Sequence, residues 1–179
     1  MGTRPADAAV AAVIVVAALA RPALAQPAEP EVKAEFVERF TRFVDWSDGD
    51  LPPSLTICVV GDTPIAAPLD RIARRQKIKD RKARVTAAAP EEVAACQLVV
   101  IGGTDRKRLR AVLARTDGRP ILTIADAPGA AEAGAIVNFY RDGKHVRFEI
   151  NTTAAKDSGL EVRARLLRLA KVVTGKAAP

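Results

Sequence analysis

Histidine, cysteine and aromatic residues are scarce in this sequence of 179 residues. It has one histidine, two cysteines, five phenylalanines, one tryptophan and one tyrosine. With so few of these side chains, the sequence offers no cluster of metal ligands and no nucleophile paired with a general base. We therefore expect no enzymatic activity, no metal and no cofactor.

The sequence also lacks an apolar run of the roughly 20 residues that a membrane-spanning helix needs. The longest run, Ala8 to Ala20, follows Arg4 and precedes Ala23-Leu24-Ala25. A secretory signal peptide typically has a basic start, a short apolar stretch and then a small-x-small cleavage motif. A membrane anchor is the alternative interpretation, although thirteen residues are too few for one.

We predict that the signal peptide covers residues 1–25, with cleavage after Ala25. Residues 26–31 are rich in proline and alanine, so we expect a disordered lead-in there. One domain over residues 32–175 follows, because roughly 150 residues suffice for a single hydrophobic core. The predicted location is the periplasm, with no membrane-spanning segment after cleavage.

The net charge is +7, and cations cluster over residues 71–84. Clustered cations can bind nucleic acid. However, no aromatic side chains stand between these cations to stack on bases, and export argues against that partner. We expect no nucleic acid and a solvated surface, with attraction to an anionic membrane surface or an acidic partner as the alternative.

Short apolar runs at 55–60, 98–101 and 121–124 alternate with amphipathic helical segments. Apolar runs of this length are typical of parallel strands buried on both faces. We predict an α/β fold: one three-layer domain with a parallel sheet core in CheY-like or flavodoxin-like order and helices on both faces. A helix over about 31–45 precedes this core, and a long helix over about 159–173 closes the chain.

An antiparallel hairpin extends the predicted sheet. Two segments of alternating polarity flank Asp142-Gly143, a favoured two-residue turn that sets Tyr140 opposite His145. The apolar residues share one face. The other face is a predicted partner-binding surface, because exposed tyrosine and arginine are common interface anchors; it carries Asn138, Tyr140, His145, Arg147 and Glu149.

Small residues follow two of the predicted central strands. In open α/β sheets, ligands bind in the crevice at the carboxyl ends of such strands. The alternative function is therefore a small-ligand-binding module. Its crevice would be built from Gly61, Asp62, Thr63, Gly102, Gly103 and Thr104.

Each of two predicted strands carries one cysteine, Cys58 or Cys96. An oxidising compartment favours a disulfide between them, and two buried free thiols are the alternative. If Gly61 pairs with Gly102 in parallel register, Cys96 lies about 10 Å from Cys58. We therefore expect staggered strands if the bond forms.

Several segments together resemble the YfiR family of exported bacterial regulators. The resemblance rests on the order and spacing of these segments, which are residues 34–46, 55–62, 96–101, 121–126, 146–151, 160–162 and 166–170. The strongest is Val146-Arg147-Phe148-Glu149-Ile150-Asn151.

The resemblance implies a periplasmic binding protein without enzymatic activity. Such a protein docks on the periplasmic sensor domain of a membrane diguanylate cyclase and represses it, which links envelope redox state to cyclic di-GMP signalling and biofilm formation. The resemblance also implies a homodimer and a family disulfide at Cys58 and Cys96. The second cysteine pair of some members is missing here, so a switch based on that pair is not implied.

Overall fold

The computed structural model describes residues 27–47 and 51–175. The predicted signal peptide lies outside these residues, so its cleavage stays a prediction. The first half contains α1 (Glu29–Phe43), β1 (Val44–Trp46), β2 (Ser54–Val60), α2 (Ala66–Arg75), β3 (Lys82–Ala87) and a 3₁₀ helix (Pro90–Ala95). The second half contains β4 (Leu98–Ile101), α3 (Arg106–Thr116), β5 (Leu122–Ala125), β6 (Val137–Asp142), β7 (His145–Asn151), α4 (Thr152–Asp157), β8 (Leu160–Val162), α5 (Ala164–Leu167) and β9 (Lys171–Val173).

The main sheet has seven strands in the order β3-β2-β4-β5-β6-β7-β9. The pairs from β3 to β6 are parallel, β6 and β7 form the antiparallel hairpin, and β9 pairs with β7 in parallel. Strand β1 belongs to a separate pair with β8. When β2 to β6 are counted as strands 1 to 5, their order in the sheet is the flavodoxin order 2-1-3-4-5. The predicted fold class is confirmed.

Two apolar layers cover the two faces of the sheet. One layer packs α1 and α2 against side chains such as Ile57, Val100 and Ile124. The other packs α3 and the 3₁₀ helix against Val60, Val99 and their neighbours. Strand β4 is buried at every position because both of its faces are covered.

Helix α1 begins at Glu29, so part of the predicted disordered lead-in is helical. Pro30 stands in the first turn, where its missing N–H costs nothing. Glu29 Oε1 lies 2.6 Å from Lys33 Nζ, and this contact lowers the pKa of the Glu29 carboxyl. A carboxylate near a helix N-terminus is favourable. These contacts hold the first turn in place.

An aromatic stripe on α1, Phe36 and Phe40, packs onto the hairpin. The Phe40 ring lies 4.8 Å from that of Phe148 and 5.8 Å from that of Phe139, between ring centroids. Phe36 stacks on Phe40 and contacts both hairpin rings. Helix α1 therefore anchors the apolar face of the hairpin, which leaves its other face for different contacts.

The predicted long helix over 159–173 is wrong. That segment forms β8, the single turn α5 and β9 instead. Strand β8 pairs antiparallel with β1, and β9 pairs with β7. Leu169, which the helical pattern predicts to be buried, is 68% exposed. Backbone pairing with distant strands overrides the local helical spacing of the apolar residues.

Candidate functional site

The two cysteines form a disulfide that joins β2 to the end of the 3₁₀ helix. The Cα atoms of Cys58 and Cys96 are 6.0 Å apart. Both side chains are buried in the layer beneath α3, beside Val60, Val93 and Val99. The prediction of a disulfide is confirmed, and the alternative of two free thiols is wrong. Because the bond is buried, a reductant can reach it only if this layer opens.

The expected stagger of the two strands is not present. Cys58 pairs with Val99, which is the register that matches Gly61 with Gly102. The bond closes because Cys96 precedes the strand and caps the 3₁₀ helix, donating its N–H to Val93 O. Gln97 then aligns the chain with β2 by donating its backbone N–H to Thr56 O at 3.0 Å. The bend before Leu98, rather than a shift of β4, brings the sulfurs together.

The hairpin turns one residue later than predicted. Tyr140 pairs with Arg147 and Asp142 pairs with His145, so Tyr140 and His145 are not opposite each other. The two-residue turn is Gly143-Lys144, with Gly143 at a φ of +57°. Glycine at the first central position suits a type II′ turn. The change of register is two residues, so every side chain keeps its predicted face.

The inner end of the polar hairpin face is buried, which corrects the prediction of an exposed surface. Asn138 and Glu149 are 2% and 6% exposed, and Asn138 donates to Glu149 Oε2 at 3.2 Å. Lys171 of β9 donates to Glu149 Oε1 at 2.8 Å, and this hydrogen bond raises the pKa of Lys171. Ala127 donates its backbone N–H to Asn138 Oδ1. Asn138 and Glu149 therefore make their hydrogen bonds inside the fold and are not on its accessible surface.

The outer end of this face remains accessible. We call Tyr140, His145 and Arg147 the hairpin-tip surface. Tyr140 is half-buried, with the Lys171 ammonium 5.9 Å from its ring centroid, whereas His145 and Arg147 are exposed. Arg147 Nε lies 3.9 Å from Asp142 Oδ2, which is too far for a hydrogen bond. The surface offers an aromatic ring beside a guanidinium with no hydrogen-bond partner among the described residues.

The two glycine loops of the alternative ligand crevice meet, but they pack against each other directly. A Cβ added at Gly102 would stand 2.6 Å from the carbonyl oxygen of Asp62. Gly61 has a φ of +81° and lies against Gly102 O. Arg108 of α3 donates to that same carbonyl at 3.3 Å. Backbone and Arg108 thus fill the space between the loops, which counts against a ligand there.

The basic run at 71–84 is dispersed by the fold. Arg74 pairs with Asp70, and Lys79 donates to Val44 O and to Asp45. Lys82 and Arg84 stand exposed on β3, which is an edge strand of the sheet. Charged side chains on an edge strand oppose pairing with other chains. This arrangement favours the interpretation of a solvated surface.

Asn151 is a central polar residue whose role the sequence only partly indicates. It is fully buried; its side-chain amide donates to Ala131 O and to Gly175 O, each at 2.7 Å, and its Oδ1 accepts from Ala154 N. The cap on α4 is readable from asparagine before a helical turn. The two bonds to distant carbonyls are not, because they depend on β9 and on the β5–β6 connection.

Within residues 27–47 and 51–175, no group of three or more histidine, cysteine or acidic side chains is placed to hold a metal ion. No helix in the same ranges has the length and apolar character needed to cross a bilayer. The expectations of no cofactor and no enzymatic activity stay predictions.

Comparison with known proteins shows a family match and similar solved structures. A family model described as YfiR/HmsC-like matches residues 30–171. A crystal structure of a conserved domain protein from Vibrio cholerae O1 biovar eltor is similar with a TM-score of 0.57 and 16% identity, over 82% of this chain. The ABC domain from Streptococcus pneumonia, solved in complex with L-Trp, is similar with a TM-score of 0.54 and 11% identity, over 80% of this chain. The chain spans 60% of the length of each, and at these identities the likeness concerns the fold alone.

Proposed function

The chain belongs to the YfiR/HmsC-like family, and on that premise we propose that it is an exported regulator that docks on the periplasmic sensor domain of a membrane diguanylate cyclase and represses it. The supporting observation is the match over residues 30–171, which covers nearly the whole described domain. The disulfide supports export, because disulfides persist in oxidising compartments. The proposed action is binding without catalysis, as befits a regulatory family.

The proposed contact region is the hairpin-tip surface. Tyr140 and Arg147 are paired across the two strands, so the ring and the guanidinium project from the same face. Tyrosine and arginine are enriched among the residues that carry most binding energy at protein interfaces. The positive charge favours an acidic patch on the sensor domain.

Co-purification from membranes tests the docking. The full-length chain with a carboxyl-terminal tag is expressed together with the candidate cyclase, the membranes are solubilised, and the captured cyclase is quantified. We expect capture of the cyclase and a lower cellular level of cyclic di-GMP when the chain is present. No capture and no change in cyclic di-GMP, with both proteins expressed, contradicts the proposal.

A matched pair of arginine variants tests the contact region. Arg147→Ala should weaken capture about tenfold, since loss of an interface anchor costs about 1–2 kcal/mol. Arg84→Ala removes an exposed arginine from β3 at the opposite edge of the sheet and should leave capture unchanged. If both variants capture the cyclase as well as the wild type does, the contact region is elsewhere.

The proposed link to envelope redox state depends on opening the Cys58–Cys96 bond. Loss of this bond should loosen β2 and the 3₁₀ helix and thereby release the cyclase. The variant Cys58→Ala/Cys96→Ala should then raise cyclic di-GMP compared with the wild-type chain at equal protein level. If the level of cyclic di-GMP is unchanged, the disulfide stabilises the fold but does not regulate the cyclase. The homodimer stays a prediction.

A further inference from the structure

A groove of about 740 Å³ lies beside α3, and its lining includes no residue of the hairpin-tip surface or of the glycine loops. Residues of α3 line one side, and the connection from β5 to β6, residues 126–136, lines the other. Thr123 of β5 and two residues at α4, Ala154 and Ser158, complete the lining. The volume falls within the roughly 300–1,000 Å³ typical of small-molecule sites.

The groove exists because the β5–β6 connection contains no helix. Parallel neighbouring strands are usually joined by a helix that covers the sheet. Here the connection is a series of turns with five alanines and two glycines. Ala127, Ala130 and Ala135 do pack into the layer beneath α3, but such short side chains cannot fill the width of a helix. The space left open is the groove.

The groove combines an apolar wall with positive charge. Leu109, Leu113 and Ala133 contribute apolar surface to its lining. Arg106 and Arg110, one helical turn apart on α3, line the same groove and are exposed. Neither arginine has a hydrogen-bond or ion-pair partner among the described residues. Asp117 also lines the groove.

We propose that this groove binds a small amphipathic anion, an organic molecule with an apolar body and one carboxylate or sulfonate. The apolar body would lie along Leu113 and Ala133, and the anionic group would meet the Arg106–Arg110 pair. Arginine binds carboxylates and similar anions through two parallel N–H donors, which gives orientation as well as attraction. This site is independent of the docking proposed above.

Binding of anilinonaphthalenesulfonate, an amphipathic anion that fluoresces in apolar surroundings, tests the proposal. The folded, disulfide-bonded chain is titrated with the probe, and the dissociation constant is compared among variants. Arg106→Gln/Arg110→Gln should weaken binding at least tenfold. The matched control Arg115→Gln changes an exposed arginine on α3 that does not line the groove, and it should bind like the wild type. Thermal unfolding of each variant verifies the fold.

A second variant and two further probes separate the groove from other modes of binding. Ala114→Phe places a ring in the groove from an exposed helix position and should weaken binding at least tenfold without a change in charge. The neutral analogue N-phenylnaphthylamine should bind more weakly than the sulfonate. Equal affinity of the two probes, or wild-type affinity in both groove variants, overturns the proposal. Arginine-dependent binding to phosphatidylglycerol vesicles without binding of the soluble probe also overturns it, since the arginines would then serve a membrane surface.

Discussion

Removal of the Cys58–Cys96 disulfide should lower the free energy of unfolding by about 4 kcal/mol. The two cysteines are 38 positions apart, and the chain-entropy model gives about 4 kcal/mol for a loop of this length. Alanine is the suitable replacement because both sites are apolar and about 3% exposed, so a serine hydroxyl would be buried there. A domain typically has about 5–15 kcal/mol of stability, so the loss is a large fraction.

Urea unfolding of the protein lacking residues 1–25 measures this loss. With a slope of about 2 kcal/mol per molar urea, typical of small domains, the midpoint should fall by about 2 M. The wild-type protein, fully reduced in denaturant and refolded with reductant present, should unfold near the midpoint of the Cys58→Ala/Cys96→Ala variant. A difference below about 1 kcal/mol between wild type and double variant would refute the loop-closure reasoning.

The single variants provide an internal control. Cys58→Ala and Cys96→Ala each remove the same bond, so each should cost nearly as much as the double variant. Residues that share one interaction give such non-additive effects. If the two single losses instead add up to the loss in the double variant, the side chains contribute independently and no bond joins them.

The remaining predictions concern two polar residues that connect distant segments. Asn151→Ala should lower the free energy of unfolding by about 3 kcal/mol, since it removes a helix cap and the two hydrogen bonds that tie the β5–β6 connection and the segment after β9 to β7; in the same urea assay, a loss no larger than that of Thr152→Ala would contradict this role. Two hydrogen bonds from Arg163 hold the pKa of the Asp45 carboxyl below its usual value. Because the pKa of Asp45 is lower in the folded protein, its carboxylate stabilises the fold at pH values above the unfolded-state pKa near 3.9. This stabilisation is lost as the pH falls through the folded-state pKa. Asp45→Asn should therefore cost about 1 kcal/mol at pH 7, and the difference from wild type should vanish in strong acid; a difference independent of pH would contradict it.

The central sheet was predictable because each of its central strands can be recognised from its own residues. The runs that form β2, β4 and β5 are apolar at nearly every position, and helices stand between them. A parallel sheet covered on both faces follows directly from that alternation. Asp105 before α3 is similarly readable, because its carboxylate accepts hydrogen bonds from Lys107 N and Arg108 N as a helix cap.

The candidate surface was only partly predictable, because burial of the polar hairpin face depends on a distant segment. Alternation in β6 and β7 correctly separates the two faces. However, Lys171 comes from β9 and turns Glu149 from a surface residue into a buried partner. The apolar residues around Lys171 have helical spacing, so the sequence does not indicate β9. A strand that forms only by pairing with β7 has no local pattern from which to predict it.

The connections between the strands determine where this fold has room for a ligand. In a flavodoxin-like sheet, the crevice between β2 and β4 is the expected site, since the chain direction across the sheet reverses there. Here the loops after these strands are so closely packed that Gly102 has no room for a Cβ. By contrast, replacement of the usual crossover helix by the turns of 126–136 opens a groove on the neighbouring part of the same domain. The strand order alone therefore does not locate the accessible site; the side-chain volume of each connection does.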